Sequence, residues 1–251
     1  MTDELVLRQD DGPITRLTLN DPGHANVLSR AMIERLGARL AEANIDADAR
    51  VIILDAAGKV FCAGHDLGEI RASEVSADHE ALFADCSALM QAINASPKPV
   101  IAKVRGAAVA AGCQMVASCD LAFAAENARF AVSGINLGLF CSTPSVALSR
   151  VIGEKAALEM LITGRFVGAP EAAALGLINR AVPLDELDRI VDETALAIAG
   201  KPPEAIALGK ALFKRQQGLA VADAYALAGQ AMAKNLSFPS ARAGIDGFLT
   251  R

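Results

Sequence analysis

Two stretches of the chain follow the same plan. "RVIILDAAGKVFCAGHDL" runs from Arg50 to Leu67, and "PVIAKVRGAAVAAGCQMVASC" runs from Pro99 to Cys119. Each opens on a short apolar run of the kind that forms a strand buried on both faces. Each passes through a loop of Gly and Ala ("KVFCAGHDL", "AAVAAGC") and enters a helix. "DLAFAAE" then supplies a third buried strand. The repeat predicts stacked β-β-α units rather than a doubly wound sheet.

The flanks fit an α/β fold built on that repeat. "ELVLRQDDGPITRLTLN" reads as a hairpin about an Asp-Asp-Gly-Pro turn. Ser29 is placed to cap a helix that carries Met32, Ile33, Leu36 and Leu40 at helical spacing. A second helix is predicted from Ala77 to Ala95, ended by "SPKP". Beyond Pro144 the apolar spacing is mainly helical, as in "PLDELDRIVDETALAIAG" and "AYALAGQAMAKNL". The expected organisation is an α/β core over residues 1–190 and a C-terminal helical segment over 191–251.

Composition removes several classes of function. The 251 residues are 53% hydrophobic and 21% charged, a globular balance rather than a disordered one. No apolar run is long enough to span a membrane. Net charge is −5 with no block of Lys and Arg, so nucleic acid is not an expected partner. The five Cys form no CxxC pair and there are only three His, so neither a metal site nor a disulfide framework is expected. The acidic start "MTDELVLRQDD" resembles neither a signal nor a transit peptide, and a cytoplasmic location is expected.

The Gly/Ala loops are the candidate site. A helix N-terminus carries free N–H groups and a partial positive charge. Two such termini facing each other can direct two donors at one oxygen, an oxyanion hole. Small residues also serve close helix–sheet packing, and the pattern alone leaves both readings open. Neither loop fits the dinucleotide fingerprint or the P-loop.

The motifs themselves are more specific. "KVFCAGHDL", "GAAVAAGCQMVASCD", "NDPGHANVLS" and "EKAALEMLITGRFVGAPEAAALGLINRAVP" arrive in the order and spacing of the enoyl-CoA hydratase/isomerase (crotonase) family. The chain resembles that family over nearly its whole length. "GLFCSTPSVALSR" further resembles its enoyl-CoA hydratase domain-containing protein 3 branch. The resemblance implies a crotonase-like spiral and an acyl-CoA or enoyl-CoA thioester as partner, in fatty acid and acyl-CoA metabolism. It implies no cofactor beyond the substrate's own coenzyme A, and a homotrimer or dimer of trimers joined through the C-terminal helices.

Carried over residue by residue, the resemblance makes the backbone N–H groups of His65 and Ala111 the oxyanion donors. One such donor is worth about 3–4 kcal/mol to a transition state. Gly64 and Gly112 would let the backbones approach. His24, Ala25, Lys59 and Ala63 would hold the CoA moiety, with Lys59 toward the phosphates. Cys141 and Ser142 fall in the segment that lines the acyl pocket.

Two positions depart from the family. Its hydratases use glutamates where this chain has Gln114 and Gly134. A glutamine amide is no base at neutral pH, and glycine has no side chain. Hydration by two glutamates is therefore not expected. His65 could serve as a substitute base; Asp66 reads as a helix cap. The rival readings are an acyl-CoA-binding protein without catalysis, and a different acyl-CoA reaction such as thioester hydrolysis or decarboxylation.

Overall fold

The computed structural model describes residues 4–250. Strands β1 (Val6–Asp11) and β2 (Ile14–Leu19) form the expected hairpin, with Asp11 opposite Ile14 and Gly12 at φ +54°. Helix α1 (Arg30–Ile45) follows, capped by Ser29, whose Oγ accepts the Met32 N–H at 3.1 Å. The spiral then begins. Each turn lays one strand in a large sheet, the next strand in a small sheet, and a helix across them.

The first turn is β3 (Val51–Ala56), β4 (Val60–Cys62), α2 (Leu67–Ala72) and α3 (Ser76–Ala95). The second is β5 (Val100–Val104), β6 (Ala107–Val109) and α4 (Ala111–Ser118). The third is β7 (Leu121–Ala125), β8 (Arg129–Ala131), a 3-10 turn over Ser133–Leu137, α5 (Ser142–Leu148) and α6 (Glu154–Thr163). A last unit adds β9 (Val167–Gly168), α7 (Ala169–Leu175) and β10 (Arg180–Val182). The large sheet runs β1-β2-β3-β5-β7-β10 and the small one β4-β6-β8-β9. All neighbours are parallel except β1 with β2 and β8 with β9.

The expected β-β-α units are present, with one correction to their parts. "KVFC" and "AAV" read as loop, yet they contain β4 and β6. Each is only three residues long, too short to show an alternating pattern, and β6 is also Ala-rich. Only pairing with each other and with β8 makes them strands.

Alternation along the buried strands divides the core. Ile52, Leu54, Val100, Ala102 and Val104 face the main core with α1, α3 and α4. Val51, Ile53, Ile101 and Phe123 face the other way, against helix α8 (Leu187–Ala199). Residue 190 thus lies inside a helix that seals the large sheet. Helices α9 (Pro203–Gln216), α10 (Val221–Leu236) and α11 (Pro239–Leu249) contribute no buried residue. Phe213, Tyr225, Met232 and Phe248 are exposed on them. Lys210 ties α9 to the core, 2.6 Å from the Asp120 carboxylate. No helix among the described residues is long and apolar enough to cross a membrane.

Candidate active site

The two Gly/Ala segments lie against each other. After β4 the chain turns at Gly64, at φ +95°, where glycine is favoured. The Gly64 carbonyl accepts the Leu28 N–H at 2.7 Å, and Leu28 bridges His65. Asp66 then caps α2, accepting the N–H groups of Gly68 at 2.7 Å and Glu69 at 3.2 Å. Its carboxylate is committed to the helix, as the sequence suggested.

After β6 the chain turns at Ala110, at φ 50° and ψ −116°, and α4 starts at Ala111. A Cβ on Gly64 would stand 2.9 Å from the Ala110 Cβ and 3.5 Å from the Ala111 nitrogen. A Cβ on Gly112 would stand 2.3 Å from the Cys62 carbonyl oxygen. Glycine at both positions is what allows the contact. Among the described residues, neither the His65 N–H nor the Ala111 N–H donates to an acceptor in the chain. Ala110 occupies a region of φ/ψ almost reserved for glycine, at a cost of about 1–3 kcal/mol. That strain falls on the residue that orients the α4 N-terminus.

Two polar side chains at these loops are also unpaired. The His65 ring meets Phe83 of α3 edge-on, with centroids 5.4 Å apart at 78°. Both ring nitrogens are buried without a hydrogen-bond partner. Burial lowers the His65 pKa; the Leu28 carbonyl, outside hydrogen-bonding geometry, and the Glu69 carboxylate oppose the shift. Gln114, in the first turn of α4, is 4% exposed, and its Oε1 is buried and unpaired. Each such atom costs about 1–3 kcal/mol. Four buried side-chain atoms lack a partner among the described residues, and three of them belong to His65 and Gln114. Unsatisfied groups concentrated this way point to a functional site.

Gly134 is closed rather than merely bare. A Cβ there would stand 2.5 Å from the Leu139 carbonyl oxygen and 2.9 Å from the Cys141 Sγ. The Leu139 N–H donates to the Gly134 carbonyl at 3.0 Å, holding the segment in place. Cys141 is buried, and burial raises its thiol pKa, opposed by the Gly134 N–H. Burial thus favours the protonated thiol. Ser142 is exposed at the start of α5, and its hydroxyl donates to the Phe140 carbonyl at 3.3 Å. Cys62 and Cys113 are likewise buried, their thiols pushed up to about 12.

His24, Ala25, Lys59 and Ala63 come together on one rim. The Ala63 N–H donates to the Ala25 carbonyl at 3.1 Å. Gly58, beside the exposed Lys59, lies against Pro22. The exposed His24 ring sits 2.9 Å from the Asp21 carboxylate. Sequence reasoning missed the residue that builds this rim. Asn26, fully buried at φ 51°, donates to the Ala57 carbonyl at 2.9 Å and the Val60 carbonyl at 2.8 Å. It also accepts the Asp21 N–H at 2.8 Å. An Asn in a Pro-Gly loop is a signal for positive φ, and nothing local reveals its distant partners.

A cavity of about 660 Å³ lies elsewhere, between α8 and α9. Leu121, Ala197, Ile198 and Ile206 line it, and no residue of either loop does.

Residues 9–251 match the sequence profile of the enoyl-CoA hydratase/isomerase family. The chain belongs to that family. Among its relatives is the human enoyl-CoA hydratase domain-containing protein 3, mitochondrial, 43% identical over 244 residues, 97% of this chain and 80% of the relative. The Xenopus laevis protein of that name is 42% identical over 246 residues, 98% of this chain and 83% of the relative. Among solved structures, an enoyl-CoA hydratase from Mycobacterium smegmatis superposes with a TM-score of 0.96 at 51% identity, covering 98% of this chain and 96% of that one. The structure of the human domain-containing protein 3 superposes at 0.95 with 42% identity, covering 98% and 97%.

These names correct one expectation. The acidic N-terminus reads as cytoplasmic, whereas relatives at 42–43% identity are named mitochondrial. Net charge and polarity over a short N-terminal stretch do not fix a compartment. Family membership also gives the departures their meaning. An enoyl-CoA hydratase/isomerase fold is kept here with an amide at 114 and a sterically sealed glycine at 134.

Proposed function

We propose that this chain binds an acyl-CoA or enoyl-CoA thioester and polarises its carbonyl between the backbone N–H groups of His65 and Ala111. The observation that carries the reading is the pair of unspent donors on two segments in van der Waals contact. Polarisation shifts electron density onto the thioester oxygen and acidifies the adjacent carbon. His24, Ala25, Lys59 and Ala63 would form the rim for the CoA moiety, with the Lys59 ammonium toward its phosphates. Gly64 and Gly112 act by being absent of side chain, and Cys141 and Ser142 bound the acyl end. No cofactor beyond the CoA of the substrate is needed. Gln114 can orient a water or the thioester by hydrogen bonds but takes up no proton. Hydration through two carboxylates is therefore not the chemistry of this site. The exposed apolar side chains of α9–α11 suit burial in a homotrimer or a dimer of trimers.

A second reading, acyl-CoA capture without turnover, is favoured by the backbone closed over Gly134. The test is infrared difference spectroscopy with butyryl-CoA labelled with ¹³C at the carbonyl, beside a calorimetric titration. Saturable binding with the C=O band moved to lower frequency is expected. Binding with an unmoved band would leave only capture, and absence of binding would overturn the assignment.

A further inference from the structure

We propose that the His65 imidazole is the general base of the acyl site, exchanging a proton with the carbon next to the thioester carbonyl. The inference rests on the reading above and extends it, because His65 would then act twice, through its backbone N–H and through its ring. A neutral imidazole has one N–H and one lone pair, and both are normally satisfied when buried. Here both ring nitrogens are buried and neither has a hydrogen-bond partner among the described residues. The ring can therefore take up a proton without breaking an existing hydrogen bond.

The surroundings keep it a base. Phe83 of α3 stacks edge-on against the ring, and the bridging segment presents Leu28; neither titrates. The charged group facing it is Glu69 of α2, whose Oε2 accepts the Arg30 N–H at 2.9 Å. Asp66, its chain neighbour, is spent on the α2 cap. Gln114 and Gly134 cannot remove a proton, and burial holds the Cys141 thiol in its protonated form. Among the described residues of the paired loops, the imidazole is the buried basic side chain without a hydrogen-bond partner; Lys59, the other basic group there, is exposed on the rim.

In the step, the imidazole lone pair takes a proton from the α-carbon. The C–H electron pair becomes the C=C bond of an enolate, and the thioester π-pair moves onto oxygen, where the His65 and Ala111 N–H groups receive it. Return of the proton reverses every change; in D₂O, when the imidazolium N–H first exchanges its proton for a solvent deuteron, the return delivers that deuteron and the net event is replacement of the α-hydrogen by deuterium. No oxidant or co-reactant is required.

The experiment follows butyryl-CoA in D₂O by mass spectrometry, with wild type and His65→Gln, across a pH series. The variant keeps its backbone N–H, so binding and the carbonyl band shift should persist. Exchange should fall by about 10²–10⁴-fold, the range of general-base catalysis. Wild-type exchange should decline tenfold per pH unit below the imidazole pKa, which lies under the ordinary His value, and this limb should vanish in His65→Gln. His65→Phe, which fills the same space, checks that loss of exchange follows the base and not the packing. Exchange at the wild-type rate in both variants would overturn the proposal and leave thioester binding intact. Binding without exchange in wild type would overturn it too. Absence of binding in wild type would overturn both assignments.

Discussion

Gly134→Ala is the smallest change that tests why the second family glutamate is missing. The added Cβ would lie 2.5 Å from the Leu139 carbonyl oxygen, whereas ordinary contact begins at 3.4 Å. The second obstacle, the Cys141 thiol at 2.9 Å, can rotate away. The carbonyl cannot. It belongs to a segment pinned by the Leu139 N–H on Gly134 at 3.0 Å and by the Ser145 N–H on the Cys141 carbonyl at 3.0 Å. The segment must retreat by about 0.9 Å or the 3-10 turn must open, an overpacking cost of roughly 1–3 kcal/mol. For a chain of this size that is roughly 2–12 °C in Tm. The chain has no Trp and a single Tyr, so calorimetry or far-ultraviolet circular dichroism suits the measurement. Gly209→Ala, mid-helix in α9 with nothing within 4 Å, is the control and should raise Tm slightly. Gly134→Glu should lose at least as much stability and gain no hydration of crotonyl-CoA. If Gly134→Ala melts within about 1 °C of wild type, the steric reasoning is wrong. The glycine would then be a substitution the backbone tolerates rather than one it requires.

Three further outcomes follow from the same geometry. Ala110→Gly should stabilise by about 1 kcal/mol in urea unfolding, since relief of about 1–3 kcal/mol of strain exceeds the added chain entropy of glycine; a loss would mean that the Ala110 methyl matters more through packing. Asn26→Ala should cost roughly 2–4 kcal/mol by the same assay, because the Ala57 and Val60 carbonyls and the Asp21 N–H all lose their partner; it should also weaken CoA binding by loosening the rim. Asp188 is held at about 2, below its ordinary 3.8, first by hydrogen bonding to Arg105 and then to Lys103. Its contribution is full above pH 3.8 and is lost as pH falls toward 2, so Asp188→Asn should flatten acid unfolding across that window.

Much of the fold was legible because it is written in local patterns. Buried strands show as apolar runs, Ser29 and Asp66 show as caps, and the twofold repetition shows the β-β-α plan. The positions of His65, Ala111, Gln114 and Gly134 followed from motif resemblance, and the two missing carboxylates could be read directly. What stayed hidden depends on groups far apart in the chain. Lys103 is 4% exposed in the middle of β5, and only folding brings it 2.5 Å from Asp55 and 2.8 Å from Asp188. Asn26 reads as a loop residue because the two carbonyls it donates to, those of Ala57 and Val60, lie on the far side of α1 and β3.

The sequence by itself determined strands β1, β2, β3, β5 and β7 of the large sheet, the Ser29 and Asp66 caps and the residue types at the site, since each is set by neighbours within a few positions; β10, in a stretch that reads as helical, is a strand only through its pairing with β7. The tertiary structure decided that "AAV" and "VFC" are strands. It also decided that two helix-leading loops meet through Gly64 and Gly112, and that the ring of His65 is left without a partner. It decided too that the place of the second glutamate is filled by the Leu139 carbonyl and the Cys141 thiol. Those are distances between segments tens of residues apart, and no local pattern encodes them.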